Sequence, residues 1–216
     1  ADKGDGKGFL YTNEIPVPQL VGCDRKVKTR IVTLGDSVTQ GCQTSEFEYQ
    51  FWAAQLLDQL GTEDYSLWNL GIGYARASDC AQQGNWLNRA VAGADLITVA
   101  FGTNDIISGP YGGTGHATPE EIEADVRKIT RTCTDAGIRT ILWNSPPFDM
   151  TPELDGIRTA YNETVEGIAK DNGATYFDVA SLLADPSDAS KTVYGQHPND
   201  EGGTVIADAL VKLIQE

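Results

Sequence analysis

Three short segments, far apart in the chain, carry side chains that together could hydrolyse an ester. They are GDSVTQG, which contains Ser37, GTND, which contains Asn104, and HPND, which contains His197. A serine hydroxyl is a poor nucleophile until a neighbouring base such as histidine accepts its proton. The oxyanion formed by its attack on a carbonyl needs fixed donors, such as a backbone N–H or an Asn amide. These residue types predict acyl transfer through a serine nucleophile, provided that the fold brings them together.

Alternating strand and helix patterns predict such a fold. Short apolar, β-branched runs predict five buried strands, at 30–34, 66–70, 96–101, 139–143 and 175–179. Helical spacing and end signals predict helices over 46–60, from Thr118-Pro119 to Gly137, from Thr151-Pro152 to Gly173, and over 201–214. Strands that alternate with helices indicate an α/β domain, with a parallel sheet covered on both faces.

Two of these helices are expected to bury a continuous apolar face. In the first, that face would hold Phe47, Phe51, Ala54, Leu57 and Leu60. In the second, it would hold Ile122, Val126, Ile129 and Cys133.

The candidate residues all follow strands. Ser37 follows the first, Gly71 and Gly73 the second, and Asn104 the third, while His197 lies in the long loop after the fifth. Ligands bind beyond the C-terminal ends of parallel strands. We therefore expect these residues to meet at one edge of the sheet.

Length and charge limit the classes of protein and partner. The 216 residues predict one domain over 29–216, preceded by a flexible segment and extended arm over 1–28. The net charge of −15 argues against nucleic acid or an anionic membrane as a partner. The chain begins at Ala1 without Met, and we expect a secreted protein rather than a cytoplasmic one.

The four cysteines show no spacing typical of a metal site. Cys133, on its apolar stripe, is interpreted as a buried core thiol. Cys42 and Cys80 could pair with each other, and Cys23 has no predicted partner. Asn162 begins a formal glycosylation sequon, which is interpreted as accidental because it falls on a predicted helix.

Four segments in order, GDSVTQG, NLGIG (69–73), ADLITVAFGTND (94–105) and HPNDEG (197–202), resemble the blocks of the SGNH hydrolases, also called GDSL esterases or lipases. The resemblance implies a flavodoxin-like, three-layer α/β/α domain with a five-stranded parallel sheet. It also implies hydrolysis of esters or thioesters without a cofactor or metal.

The resemblance assigns a role to each candidate residue. It implies Ser37 as nucleophile and His197 as general base, with an oxyanion hole formed by the N–H groups of Ser37 and Gly73 and the Asn104 amide. Gly71 is the alternative to Gly73. From the residues alone, Ser37 could equally cap a helix and Asn104 could stabilise a turn.

One position departs from the family pattern. The last block usually reads D-x-x-H, with an acid that orients the histidine, but Tyr194 stands three residues before His197 here. The backbone carbonyl of Tyr194 could replace the acid, as in some members of the family. Asp188 and Asp200 are the other candidates.

The substrate prediction is a short acyl ester, with acetyl groups on carbohydrates preferred. The acidic composition and the lack of an apolar lid argue against long-chain lipids. Four aromatic residues after strands could face sugar rings or simply pack at the sheet edge: Tyr74, Trp86, Tyr111 and Phe148. The alternatives are a thioesterase or lysophospholipase of the same fold, or a non-catalytic acyl- or sugar-binding module that has lost the acid.

Overall fold

The computed structural model describes residues 26–42, 44–46, 49–82, 84–107, 117–183, 193–194 and 197–216. Five parallel strands form a sheet in the order β2-β1-β3-β4-β5. Their bounds are β1 Thr29–Gly35, β2 Tyr65–Gly71, β3 Leu96–Ala100, β4 Arg139–Trp143 and β5 Thr175–Phe177. Gly35 pairs with both Gly71 and Ala100, so three neighbouring strands end at one level.

Helices cover both faces of the sheet. They are α1 Ser37–Gln40, α2 Trp52–Leu60, α3 Ala77–Gln82, α4 Gly84–Gly93, α5 Thr103–Ile107, α6 Pro119–Asp135, α7 Pro152–Asp171, α8 Val179–Leu182 and α9 Asp200–Gln215. A short antiparallel pair, β6 Val193–Tyr194 and β7 His197–Pro198, precedes α9. The helices α3 and α4 were not among the predicted elements.

Alternation along the strands divides the core into two layers. Val32 of β1 packs into a cluster with α3, α4, α6 and α7, while its neighbour Ile31 packs into a second cluster with α2 and α9. The predicted three-layer α/β/α fold is therefore confirmed. Of the predicted N-terminal arm, only residues 26–28 belong to the described part.

The prediction for the first long helix is wrong in its start and in most of its buried face, although Leu60 is buried as predicted. The helix begins at Trp52 and buries Trp52, Ala53, Leu56 and Leu60. Trp52 sets this orientation, because its indole N–H donates to the Val38 carbonyl at 3.0 Å and its ring lies 4.8 Å from that of Trp143. Phe47 lies outside the described residues.

The apolar stripe of α6 is confirmed, since Ile122, Val126, Ile129 and Cys133 are fully buried. Thr118 and Glu121 form the capping box that starts this helix. Cys133 is a free buried thiol, as predicted. The suggested pairing of Cys42 with Cys80 is wrong, because both thiols are free, and Cys23 lies outside the described residues.

Asn162, the first residue of the sequon, has a structural role in α7. Its amide accepts the Ser145 N–H and donates to the Ser145 carbonyl, both at 2.8 Å. The side chain therefore links α7 to the segment after β4.

In the part of the chain that the structure describes, no helix is long and apolar enough to span a bilayer.

Candidate active site

Ser37 and His197 lie side by side at the C-terminal edge of the sheet. After β1 ends, Asp36 caps α1 by accepting the Val38 N–H at 2.9 Å, and Ser37 is the first residue of that helix. His197 lies in β7, immediately before α9. Its Nε2 is 2.7 Å from the Ser37 Oγ. This contact places a base where it can accept the serine proton.

Two backbone N–H groups of the candidate oxyanion hole have no hydrogen-bond partner among the described residues. One belongs to Ser37 itself and the other to Gly73, in the loop after β2. The Gly71 N–H is used, since it donates to the Asn69 Oδ1 at 2.9 Å. Available donors are what an oxyanion requires, so the geometry favours Gly73 over Gly71.

Gly71 has a steric role instead. A Cβ at Gly71 would lie 2.4 Å from the backbone N of Gln40, whereas at Gly73 it would meet only the end of the Gln40 side chain, at 2.8 Å. A side chain at Gly71 would therefore push against the backbone of α1, the helix that carries Ser37.

Asn104 lies in α5 and is 3% exposed. Its amide nitrogen donates one hydrogen to the Ala75 carbonyl at 3.1 Å. An amide nitrogen carries two hydrogens, so this bond fixes the direction of the second. No described residue accepts that second hydrogen.

We expect Asn104→Ala to lower kcat by roughly 10²–10³, the usual loss when one oxyanion donor is removed. KM should change little, because the donor acts mainly on charge that develops in the transition state. Steady-state hydrolysis of p-nitrophenyl acetate measures both constants. A loss confined to KM would instead place Asn104 in ground-state binding.

The other ring nitrogen of His197, Nδ1, finds no hydrogen-bond partner in the part of the chain that the structure describes. Nδ1 is buried and makes no hydrogen bond to any described residue, the Tyr194 carbonyl included. Tyr194 pairs with His197 in the β6–β7 ladder, but the structure does not bring its carbonyl to the ring. Asp188 lies outside the described residues.

Asp200 does not reach His197 either. Its carboxylate accepts the Ser45 N–H at 2.8 Å and also bonds to the Ser45 hydroxyl. It therefore connects the start of α9 to the segment after α1. The structure therefore shows no contact between the Asp200 carboxylate and His197 that would support the suggested orienting role.

Asp200→Asn should accordingly retain most esterase activity, since a side-chain amide can still bond to Ser45 and the Asp200 carboxylate does not contact His197. The loss of a true triad acid can cost about 10⁴ in kcat. Kinetics on p-nitrophenyl acetate, with folding followed by circular dichroism, measures the difference. A collapse of kcat in a folded Asp200→Asn protein would show that the carboxylate moves to Nδ1.

Burial controls the ionisation of the groups around Ser37. It lowers the pKa of His197. It raises the pKa of Asp36 to about 7, with a smaller contribution from Asp105. It also raises the pKa of Asp105 to about 6, partly offset by the Ala77 N–H.

The pKa of His197 predicts the acid limb of the pH profile. The base must be neutral to act, so kcat/KM should rise with pH and reach its plateau after a midpoint below 6.5. An NMR titration of the imidazole protons should give the same midpoint for His197. Ionisation of Asp36 or Asp105 would not produce the large chemical-shift change that protonation of the ring itself produces. A His197 midpoint above 6.5 would reveal a carboxylate facing Nδ1.

The candidate aromatic residues differ in accessibility. Tyr74, next to Gly73, is 52% exposed and has a φ of 65°. A tyrosine in that left-handed region costs about 1–3 kcal/mol. Trp86 packs edge-on against Phe101, and Phe148 is buried, so for Phe148 the structure favours packing over the sugar-facing alternative. Tyr111 lies outside the described residues.

Asn69, the first residue of NLGIG, has a role that was not predicted from the sequence. Its amide donates to the Thr39 carbonyl at 2.8 Å, and its Oδ1 accepts from Gly71 and from the Thr33 hydroxyl. Asn69 therefore ties α1 to the loop that carries Gly73. An Asn near the end of a strand was the available signal.

Comparison with known families identifies the class of this protein. The family described as "GDSL-like Lipase/Acylhydrolase family" matches residues 33–205. The chain belongs to this family, and it is a carboxylic ester hydrolase.

Within the described residues, no group of three or more His, Cys, Asp or Glu could hold a metal ion.

Solved structures share the fold at low sequence identity. An aryl esterase of M. smegmatis is 17% identical, with a TM-score of 0.70 over 87% of this chain and 98% of that one. The acetyl xylan esterase AlAXEase is 20% identical, with a TM-score of 0.69 over 86% and 99%. An acetyl-xylooligosaccharide esterase from Geobacillus Stearmophilus is 18% identical, with a TM-score of 0.71 over 88% and 95%.

One curated relative matches over a shorter length. Acireductone dioxygenase of Hahella chejuensis is 35% identical over 72 residues, which is 33% of this chain and 39% of that protein. The chain therefore spans about two fifths of this relative's length.

Proposed function

We propose that this hydrolase is a serine esterase that acts through an acyl-enzyme, with Ser37 as nucleophile and His197 as general base and acid. The 2.7 Å contact between the His197 Nε2 and the Ser37 Oγ carries the proposal. The N–H groups of Ser37 and Gly73 and the Asn104 amide form the oxyanion hole.

The reaction follows from this arrangement. His197 takes the Ser37 proton as Oγ attacks the ester carbonyl, and the three donors stabilise the negative charge on the carbonyl oxygen. The imidazolium then protonates the leaving alcohol, and the C–O bond breaks. A water molecule, deprotonated by His197, hydrolyses the acyl-enzyme and regenerates Ser37.

We further propose short acyl esters, with acetyl on carbohydrates preferred, as the substrates. Two of the structural neighbours are named as esterases of acetylated xylan or xylooligosaccharide. Tyr74 offers a half-exposed aromatic ring next to Gly73, and such rings suit sugar faces. The net charge of −15 disfavours the anionic phosphates of acyl-CoA and lysophospholipids.

A substrate panel tests the proposal. It compares acetylated xylooligosaccharides with acetyl-CoA, lysophosphatidylcholine, and p-nitrophenyl esters of acetate and octanoate, with Ser37→Ala as the blank. We expect the highest kcat/KM on the acetylated sugar and a preference for acetate over octanoate. Higher values on acetyl-CoA or lysophosphatidylcholine would identify the thioesterase or lysophospholipase alternative. No turnover of any ester would favour the non-catalytic module.

A further inference from the structure

The loop between β2 and α3, residues 72–76, carries Gly73 but has no regular structure of its own. It also contains Tyr74, the one non-glycine residue with a positive φ in the described part of the chain. Such a conformation persists only where the surroundings over-determine it. Contacts from outside the loop must therefore hold it in place.

Two adjacent residues of α5 hold this loop. The Asn104 amide donates to the Ala75 carbonyl at 3.1 Å. The two carboxylate oxygens of Asp105 lie 3.0 and 3.2 Å from the Ala77 N, and both accept its N–H. Asp105 is 2% exposed and Ala77 is fully buried, so water does not compete for this bond.

The bond to Ala77 gives a partner to an N–H group that its own helix cannot bond. Ala77 is the first residue of α3, and first-turn N–H groups have no partner within their own helix. The Asp105 carboxylate supplies that partner from another element. The start of α3, four residues after Gly73, is therefore fixed relative to Asn104.

We propose that Asp105 is a positioning residue that sets the distance between two donors of the oxyanion hole, the Gly73 N–H and the Asn104 amide. The inference rests on the proposed function, because it assigns Asp105 to the same reaction. Asp105 touches no reacting atom. It acts by binding the Ala77 N–H. Because Asp105 is the neighbour of Asn104 in the chain, this bond holds the loop at a fixed distance from Asn104.

Kinetics of two variants test the role. A donor displaced by about 1 Å can cost on the order of 10²-fold in rate, so we expect Asp105→Ala to lower kcat on p-nitrophenyl acetate by about 10- to 100-fold, with KM within about twofold. Asp105→Asn keeps an acceptor for the Ala77 N–H and should recover most of that loss. Asp178→Ala is the matched control, because Asp178 caps α8 and bonds to Asn144, away from this loop. It should lower stability and leave kcat unchanged.

Hydrogen exchange of the Ala77 amide gives a readout that does not depend on activity. In the wild type this amide should exchange as slowly as those of the core strands, and in Asp105→Ala it should lose that protection. If Asp105→Ala does not fold, slow exchange in the wild type, together with retained kcat in Asp105→Asn, still supports the proposal. Fast exchange of Ala77 in the wild type, or a folded Asp105→Ala with normal kcat, would overturn it. A wild type without esterase activity would refute the proposed function, while exchange at Ala77 would still test the contact.

Discussion

Replacing Ser37 with alanine should abolish ester hydrolysis, with kcat falling by roughly 10⁶, as when the nucleophile of other serine hydrolases is removed. The Oγ forms the bond to the acyl carbon, and alanine offers no atom for that bond. The protein should remain folded, because Ser37 lies at the start of the short helix α1 and is only partly buried. Release of p-nitrophenol and circular dichroism measure the two effects.

A serine-directed fluorophosphonate provides an independent check on Ser37. It should label the wild type at this residue alone, as located by peptide mass spectrometry, and should not label Ser37→Ala. Ser181→Ala is the matched control, since Ser181 lies in α8 and its hydroxyl bonds to Asp178. Labelling of another serine, or full activity of Ser37→Ala, would refute the nucleophile assignment.

His197→Ala should be nearly as damaging as Ser37→Ala, because the two residues act as a unit and removing either costs roughly 10⁶ in kcat in comparable enzymes. Without the imidazole, the Ser37 hydroxyl keeps its proton and the leaving alcohol lacks an acid. The other histidine, His116, lies in a glycine-rich segment outside the described residues, and His116→Ala is the matched control. It should retain nearly all activity.

Added imidazole distinguishes loss of the base from loss of structure. A soluble base can enter the space left by His197→Ala and should restore a measurable part of kcat in a concentration-dependent way. Ser37→Ala should gain nothing from the same treatment. A His197→Ala protein as active as the wild type would show that another group deprotonates Ser37.

Most of the fold could be predicted from the sequence, because its signals are local. β-branched runs marked the strands, and Thr118 and Thr151 marked the starts of α6 and α7. The start of α2 could not be predicted, because the orientation of Trp52 depends on contacts with β4 and α1. The short helices α3 and α4 lack strong periodicity and end signals of this kind.

The candidate site was predictable in its residues and not in its hydrogen bonds. Motif order indicated Ser37, Asn104 and His197. The choice between Gly73 and Gly71 depended on which N–H Asn69 occupies, and that is a property of the folded loop. The bond between Asp200 and Ser45 could not be predicted either, because these residues are 155 positions apart in the chain and meet only in the folded protein.

The level ends of β1, β2 and β3 make the geometry of this site sensitive to strand length. One residue added to or removed from β3 would move Asn104 by about 3.3 Å and reverse the faces of the strand. At the opposite edge, the turns at Gly61, Gly137 and Gly173 precede β2, β4 and β5, and the space around them is open. Each glycine has a positive φ (85°, 76° and 68°) and must be kept, because a side chain there would be strained. Tags, linkers or a surface for immobilisation are best attached next to those turns, with the length of the strands between the attachment and Ser37.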